Sequence, residues 1–232
     1  MSFLSLARGD REARDLLQRA IRARYGQRPI AIESVRLSMT ARSKGPFGLP
    51  AQQTVTAAYV AEGRWRWDQS TKLFGFSLGQ SEVAFINDHY YERAKNISHQ
   101  KDSPETVQAV RRRLWSELAF FLTPLTVLGV TVTTVDDHTF RAVRDLQPSD
   151  SATILLGEGD TVSVQTEAYR PTPGRVEPLT ISSQGELQMF EGFIVPKRIV
   201  YRWGDASAEV FTVIKAEANP TIPVTDFILS VP

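Results

Sequence analysis

The feature that most restricts this chain is its hydrophobic period, which switches from helical to strand-like near the start and is interrupted only once afterwards. From Asp10 to Tyr25 the apolar residues Ala13, Leu16, Leu17, Ala20 and Ile21 recur at three-four spacing, which puts them on one face of a helix. Gly26 is a natural stop, because glycine accepts the left-handed backbone at a helix end. After Pro29 the period becomes two: Val35, Leu37, Met39 and Ala41 alternate with polar residues, and Gln53 to Ala61 alternates again. Arg64-Trp-Arg-Trp-Asp68 places Trp65 and Trp67 on one face and Arg64, Arg66 and Asp68 on the other. Glu82 to Ile86 and Tyr90 to Lys95 flank Asn87-Asp88, a pair suited to a tight turn.

A second helix then breaks the strands. Ser103 can cap it, Pro104 suits its first turn, and Val107, Val110, Leu114, Leu118 and Phe121 repeat at helical spacing. Pro124 has no N–H to donate and clashes with the preceding turn, so the helix must end or kink just before it. The apolar run from Leu118 to Val130 is broken by Thr123, Pro124 and Thr126, and falls short of the roughly 18 to 20 residues that span a bilayer. Strand patterns resume at Val130–Val135, Ala152–Leu156, Thr161–Ala168, Glu186–Phe190, Ile194–Trp203 and Ala206–Ala216, with hairpin turns at Gly157-Glu-Gly-Asp160 and Gly204-Asp205.

Composition narrows the chemistry. With no cysteine, the chain has no disulfide, thiolate nucleophile or cysteine-ligated metal. The 27 Lys and Arg against 26 Asp and Glu leave a net charge of +1, so no global field draws nucleic acid. The opening Phe3, Leu4 and Leu6 are too few for the apolar core of a signal peptide. His89, His99 and His138 lack helical metal-ligand spacing, and Asp136-Asp137-His138 reads as an exposed loop. Neither a nucleophile elbow nor a phosphate-cradling glycine loop is present. Catalytic, cofactor and metal roles are therefore expected of none of the residues. The alternative, a hydrolase-like enzyme, has Asp68, Glu82, Asp88 and His89 near the early turns as its acid–base candidates. A further alternative is an envelope interaction module using the arginine face of the first helix, Arg11, Arg14, Arg19, Arg22 and Arg24. Of Arg111-Arg-Arg113, one must lean toward the apolar flank with its head reaching for water.

The expected architecture is α+β: a strongly curved antiparallel sheet, or half-open β-barrel, with an N-terminal helix over about 10–25 and an inserted helical lid over about 103–128. One domain would span 1–232. Such a sheet encloses apolar volume suited to a lipid or acyl chain. Its walls are expected from Leu37, Met39, Tyr59, Trp65, Trp67, Ile199, Tyr201 and Trp203, covered by Leu118, Phe121, Leu122 and Leu125. A one-residue shift of register would exchange the two faces. A core helix packed on a sheet without a cavity fits the same pattern.

Several short phrases resemble the LolA/LolB-like superfamily of lipoprotein carriers and outer-membrane lipoprotein-sorting proteins. They are Gly185-Glu-Leu, Glu191-Gly-Phe-Ile-Val-Pro-Lys-Arg-Ile199, Glu217-Ala-Asn-Pro-Thr-Ile222, Asp226-Phe-Ile-Leu-Ser-Val-Pro232 and Glu82-Val-Ala-Phe-Ile-Asn-Asp-His-Tyr-Tyr91. The resemblance implies a non-enzymatic carrier for a lipid, acyl chain or lipidated protein, working as a monomer in the periplasm or cell envelope if a signal peptide precedes Met1, and otherwise in the cytoplasm. It further implies a possible envelope protein partner and peripheral rather than integral membrane contact. In the family an arginine near the end of an early strand holds the lid closed. Arg64 is the positional match, although the proline that usually follows it is absent, and Pro124 would be the hinge.

Overall fold

The computed structural model describes residues 7–229 except 45, 95–96 and 159–160. Phe3, Leu4 and Leu6, the end of the expected strand at Lys95, Gly159-Asp160 of the expected turn, and the closing Ser230-Val231-Pro232 lie outside the described residues.

The first helix, α1 (Arg11–Tyr25), follows a two-residue strand, β1 (Arg8–Gly9). Six strands come next: β2 (Ser34–Lys44), β3 (Pro50–Val60), β4 (Arg64–Leu73), β5 (Phe76–Ile86), β6 (His89–Ala94) and β7 (Ile97–Lys101). The second helix, α2 (Pro104–Ala119), precedes a short 3-10 turn at Thr123–Thr126. The chain returns to strands with β8 (Val130–Asp136), β9 (Thr139–Arg144), β10 (Gln147–Leu156), β11 (Val162–Arg170), β12 (Arg175–Phe190), β13 (Phe193–Trp203) and β14 (Glu209–Ala218).

All strands belong to one 14-stranded sheet, in the order β1-β8-β9-β10-β11-β12-β13-β14-β2-β3-β4-β5-β6-β7. The two arms meet where β14 pairs with β2, and β1 and β7 remain as edges, so the sheet is curved but not closed. Alternation sets which side chains face inward. One rung of paired residues, Val35, Tyr59, Trp65, Phe85 and Tyr90, crosses β2 to β6, and every member is buried. The inward rows and both helices form one continuous hydrophobic core. Helix α2 touches β10, β11 and β12 on one arm and β3 and β6 on the other, which places it inside the curve.

The convex face carries a small cluster of its own, Ala58, Val60, Ile86 and Phe227. The C-terminal segment reaches it because Asn219 clamps the chain. The Asn219 side chain accepts from the backbone of Glu33 and Ser34 at 2.7 and 3.2 Å and donates to the Ala31 carbonyl at 2.7 Å. Arg66 then donates to the Asp226 carbonyl at 2.6 Å, next to Phe227.

At the other edge of the sheet, β1 alone among the described strands pairs in parallel, with β8. Gly9 (φ 117°) permits this, since a Cβ there would stand 1.7 Å from the Val132 carbonyl oxygen. The next residue, Asp10, caps α1 by accepting from the Ala13 amide at 2.7 Å, and also accepts from the amide and hydroxyl of Thr134, each at 2.7 Å. One carboxylate thus starts the helix and ties it to β8.

These three bonds, the Thr134 hydroxyl foremost, hold the Asp10 carboxyl below its ordinary range. The folded value lies below the unfolded one, so the stabilisation is complete above an unfolded value of about 4 and is lost as pH falls through the folded value. We expect Asp10→Ala to cost about 1–2 kcal/mol at pH 7 in urea denaturation. The gap to the parent protein should shrink below about pH 4. A gap that does not change with pH would show that the carboxylate contributes nothing as a charge.

Candidate functional site

The expected wall residues do share the concave side. Leu37, Met39, Tyr59, Trp65, Trp67, Ile199, Tyr201 and Trp203 are buried there in one core with Leu118, Phe121, Leu122 and Leu125. Their centre is polar. The guanidinium of Arg113, on α2, lies 4.4 Å from the Trp65 ring and 5.3 Å from those of both Trp67 and Trp203. Arg113 donates to Glu117, one turn further along α2, at 3.0 Å, and both side chains are buried. Tyr59 and Tyr201 bring their hydroxyls within 3.5 Å of one another beside this pair. Trp67, Tyr201 and Phe211 pack edge to face at 5.4 to 5.7 Å.

Sequence reasoning expected the buried arginine of Arg111-Arg-Arg113 to reach water with its head. It does not, because Glu117 at i+4 meets it inside and three indole faces supply the rest of its contacts. Burial pushes the Glu117 carboxyl above its ordinary range, with Arg113 pulling it back. Burial likewise drives the hydroxyls of Tyr59 and Tyr201 far above the usual phenol range, and the Glu117 charge adds to the effect. The Trp65 indole and the Tyr59 hydroxyl face the Glu117 carboxylate and help to hold it against burial, whereas Ser116 Oγ and Trp115 Nε1 are buried with no hydrogen-bond partner among the described residues.

Two clefts flank α2. One, of about 380 Å³, is lined by Trp67, Tyr201, Trp203, Phe211, Arg113 and Arg170, with further residues of β5 and β6. The other, of about 490 Å³, lies between the β5–β6 turn, α2 and the β9–β10 turn, where Asp150 is buried at 3.9 Å from Arg144.

The end of α2 bears out the effect of Pro124. The helix stops at Ala119, Leu122 takes a left-handed φ of 65°, and Thr123–Thr126 form a buried 3-10 turn. The apolar cover does not extend through Leu128, which is exposed together with Val127. Helix α1 fastens this corner. Arg24 donates to the Phe120 carbonyl at 2.8 Å with its guanidinium over the Phe120 ring, and the Tyr25 hydroxyl donates to the Phe121 carbonyl at 2.8 Å. Arg24 therefore leaves the solvated arginine face on which periodicity placed it. The Phe120 carbonyl would otherwise look to residue 124, a proline with no N–H, and the Phe121 carbonyl gains a second partner beside the Thr123 amide at 2.7 Å.

Arg64 stands apart from this corner. It occupies the opposite face of β4 from Trp65, pairs with Glu62 at 2.7 Å and lies over the Phe227 ring. The contacts that fasten the end of α2 come from Arg24 and Tyr25 instead.

Of the acid–base candidates, Glu82 borders the 380 Å³ cleft, but the four do not converge there. Asp68 and Glu82 are cross-strand partners on the face opposite Trp67 and Val83, and both are engaged by Arg66, with Arg93 also on Glu82. Asp88 binds Arg111 at 2.9 Å, and His89 lies 3.1 Å from Asp102, both at the surface. Asp136 accepts from the His138 amide at 2.9 Å in the β8–β9 turn. No helix among the described residues is long and apolar enough to cross a membrane.

No family model and no curated relative matches the sequence. Among solved structures, a LolA superfamily protein from Nitrosomonas europaea superposes with a TM-score of 0.51 at 10% identity, over 94% of this chain and 97% of that one. The fold is LolA-like. A DUF1329 family protein from Desulfovibrio piger aligns with a TM-score of 0.44 at 8% identity, over 92% of this chain and 95% of that one. A domain named for outer membrane lipoprotein sorting, from Vibrio parahaemolyticus, gives 0.43 at 7% identity, over 92% and 94%.

In this LolA-like half-barrel the Arg113–Glu117 pair is the interior feature that a purely apolar core would lack. Removing one partner of a buried pair strands the other charge, whereas replacing both with apolar residues restores packing. Glu117→Leu alone should therefore cost about 3–5 kcal/mol, while Arg113→Met with Glu117→Leu should stay within about 1 kcal/mol of the parent protein or exceed it. Chemical denaturation of the three proteins checks this. A double variant as unstable as the single one would mean that the caged arginine stabilises the fold by itself.

Proposed function

We propose that the protein is a non-enzymatic carrier that holds a lipid, acyl chain or lipidated polypeptide against the concave face, with α2 and its kinked continuation as the part that gives way. The observation that carries this reading is the condition of α2. It fills the curve of a LolA-like sheet, yet brings a buried ion pair and the unpartnered Ser116 Oγ and Trp115 Nε1 into the buried interior. A helix dedicated to core packing would present leucine at those positions. A helix that must leave and return gains from groups that water can satisfy when it is out.

The energies are of the right size. Burying an acyl chain contributes about 0.8 kcal/mol per methylene, so a dozen methylenes supply on the order of 10 kcal/mol, similar to the whole stability of an ordinary domain. The 380 Å³ cleft, with Trp67, Tyr201 and Trp203 in its lining, is where a chain would begin to enter. In this reading Leu118, Phe121, Leu122 and Leu125 exchange their contacts with the sheet for contacts with the cargo, and the break at Pro124 is the hinge. The whole chain acts as one unit and as a monomer, at the cell envelope, with a lipidated protein or an envelope protein as its exchange partner.

Phe121 is 1% exposed, so a substitution there would disturb packing and motion together. A tether separates them. The half-buried Arg112 of α2 and the exposed Glu167 of β11 approach to 3.7 Å, and the chain has no cysteine of its own. In Arg112→Cys with Glu167→Cys, joining the two thiols with a short bis-maleimide should reduce uptake of a fluorescent fatty acid by about tenfold or more relative to the same protein unlinked. Full uptake by the linked protein would contradict a moving α2.

A further inference from the structure

Three of the most exposed apolar side chains of the described residues stand on two neighbouring hairpin tips. Phe47 is 100% exposed in the β2–β3 turn, and Phe74 and Phe76 are 74% and 77% exposed in and beside the β4–β5 turn. Leu49 and Leu78 flank them, also exposed. Register places the two turns side by side, since Lys44 pairs with Pro50, Gln52 with Lys72, and Leu73 with Phe76.

The backbone shows that these phenylalanines are not incidental loop residues. Both turns are Phe-Gly, with Phe47 at φ 59° and Gly48 at φ 75°, and Phe74 at φ 49° and Gly75 at φ 85°. The two-residue β4–β5 turn favours Asn-Gly or Asp-Gly, the Phe47-Gly48 pair lies in the longer 45–49 connection, and in both a bulky side chain at positive φ is strained. At the far end of the same strands the β5–β6 turn uses the favoured type, Asn87-Asp88, at φ 51° and 63°. The chain thus tolerates strain twice, side by side, to hold an aromatic ring fully in solvent.

Charge indicates what the rings meet. The segments 42–53 and 69–81 contain Arg42, Lys44 and Lys72 and no acidic residue. Projecting aromatic and leucine side chains on tips whose own charges are cationic, with Glu209 of β14 as a neighbouring acid beside Arg42, suit the interface of an anionic bilayer. The 380 Å³ cleft lies toward the same end, since its lining includes Gln53 and Gln69 of these strands and the Pro171-Thr172 connection after β11.

We propose that the two Phe-Gly tips, with Phe76, Leu49 and Leu78, dock the protein on an anionic lipid bilayer and set the mouth of the half-barrel against it. The docking surface stands on its own geometry; only its purpose, bringing the mouth to lipid, rests on the carrier reading.

The test uses vesicles of phosphatidylethanolamine and phosphatidylglycerol, with phosphatidylcholine vesicles as the neutral comparison, and measures co-flotation of the protein. The parent protein should bind the anionic vesicles more strongly. Phe47→Asn with Phe74→Asn should lower that binding by about tenfold or more while keeping or raising the thermal midpoint, because asparagine accepts the left-handed backbone. Arg42→Gln with Lys72→Gln should weaken binding and flatten its salt dependence. Unchanged binding of the Phe double variant, or no binding by the parent protein, overturns the proposal. So does parent protein that self-associates in sedimentation and becomes monomeric in the Phe double variant without a change in vesicle binding, since the tips would then be a contact between copies. Uptake of fluorescent fatty acid without vesicles should be equal in the parent protein and the Phe double variant. Loss of uptake in the parent protein with vesicle binding intact would count against the carrier alone.

Discussion

A sheet of 14 strands among the described residues, antiparallel except at β1, curls until one face becomes an interior, and that interior has to be filled. Everything else in this molecule follows from how the chain fills it. Of the two α-helices among the described residues, α1 covers the β8–β9 edge and α2 takes the middle of the curve. Helix α2 is an unusual filler. It packs leucine toward its C-terminal end, with Phe120 and Phe121 just beyond, and buries an arginine, a serine and a glutamate among them. Trp65, Trp67 and Trp203 accommodate the guanidinium with their ring faces, so the charge is sheltered without a conventional polar shell. Helix α1 then completes the corner by serving the carbonyls at the break before Pro124.

Much of this was legible in the sequence where local period and tertiary burial agree. Helix α1 shows its cap, its apolar stripe and its glycine stop, and Trp65 and Trp67 are buried on the same side of β4, as strict alternation requires. Strand β7 was missed because Ile97 is its one large apolar residue, and an edge strand wet on both faces has no period to read. The first half of β12 was missed because Pro178 and the preceding Pro171–Gly174 read as loop, yet Pro178 sits opposite Glu167 within the ladder. The site was legible in its aromatic half and hidden in its polar half. Arg113 and Glu117 at i and i+4 on the apolar side were a signal, but the habit of arginine to extend toward water hid it. The latch from Arg24 and Tyr25 spans 96 residues of sequence, and no local pattern announces such a contact.

The molecule is also asymmetric from end to end. The turn at Asn87-Asp88 uses residues that relax its backbone, while the opposite tips use phenylalanine where strain results. The cleft bordered by Trp67, Tyr201 and Trp203 lies toward the strained end. An aromatic-lined opening, a helix with unmet polar groups and a rim of projecting apolar side chains are three separate observations. They become one design if a lipid passes from a membrane into the space that α2 vacates.

The central claim is that α2 is the movable part of an otherwise fixed half-barrel, and amide hydrogen exchange resolved along the chain, with and without added fatty acid, tests it most directly. The account predicts that α2 and residues 120–126 exchange through a sub-global opening well below the unfolding free energy of β2–β4, and that fatty acid changes their protection while leaving those strands unaltered. Exchange of α2 only through global unfolding, at the same rate as the central strands and indifferent to fatty acid, would contradict it.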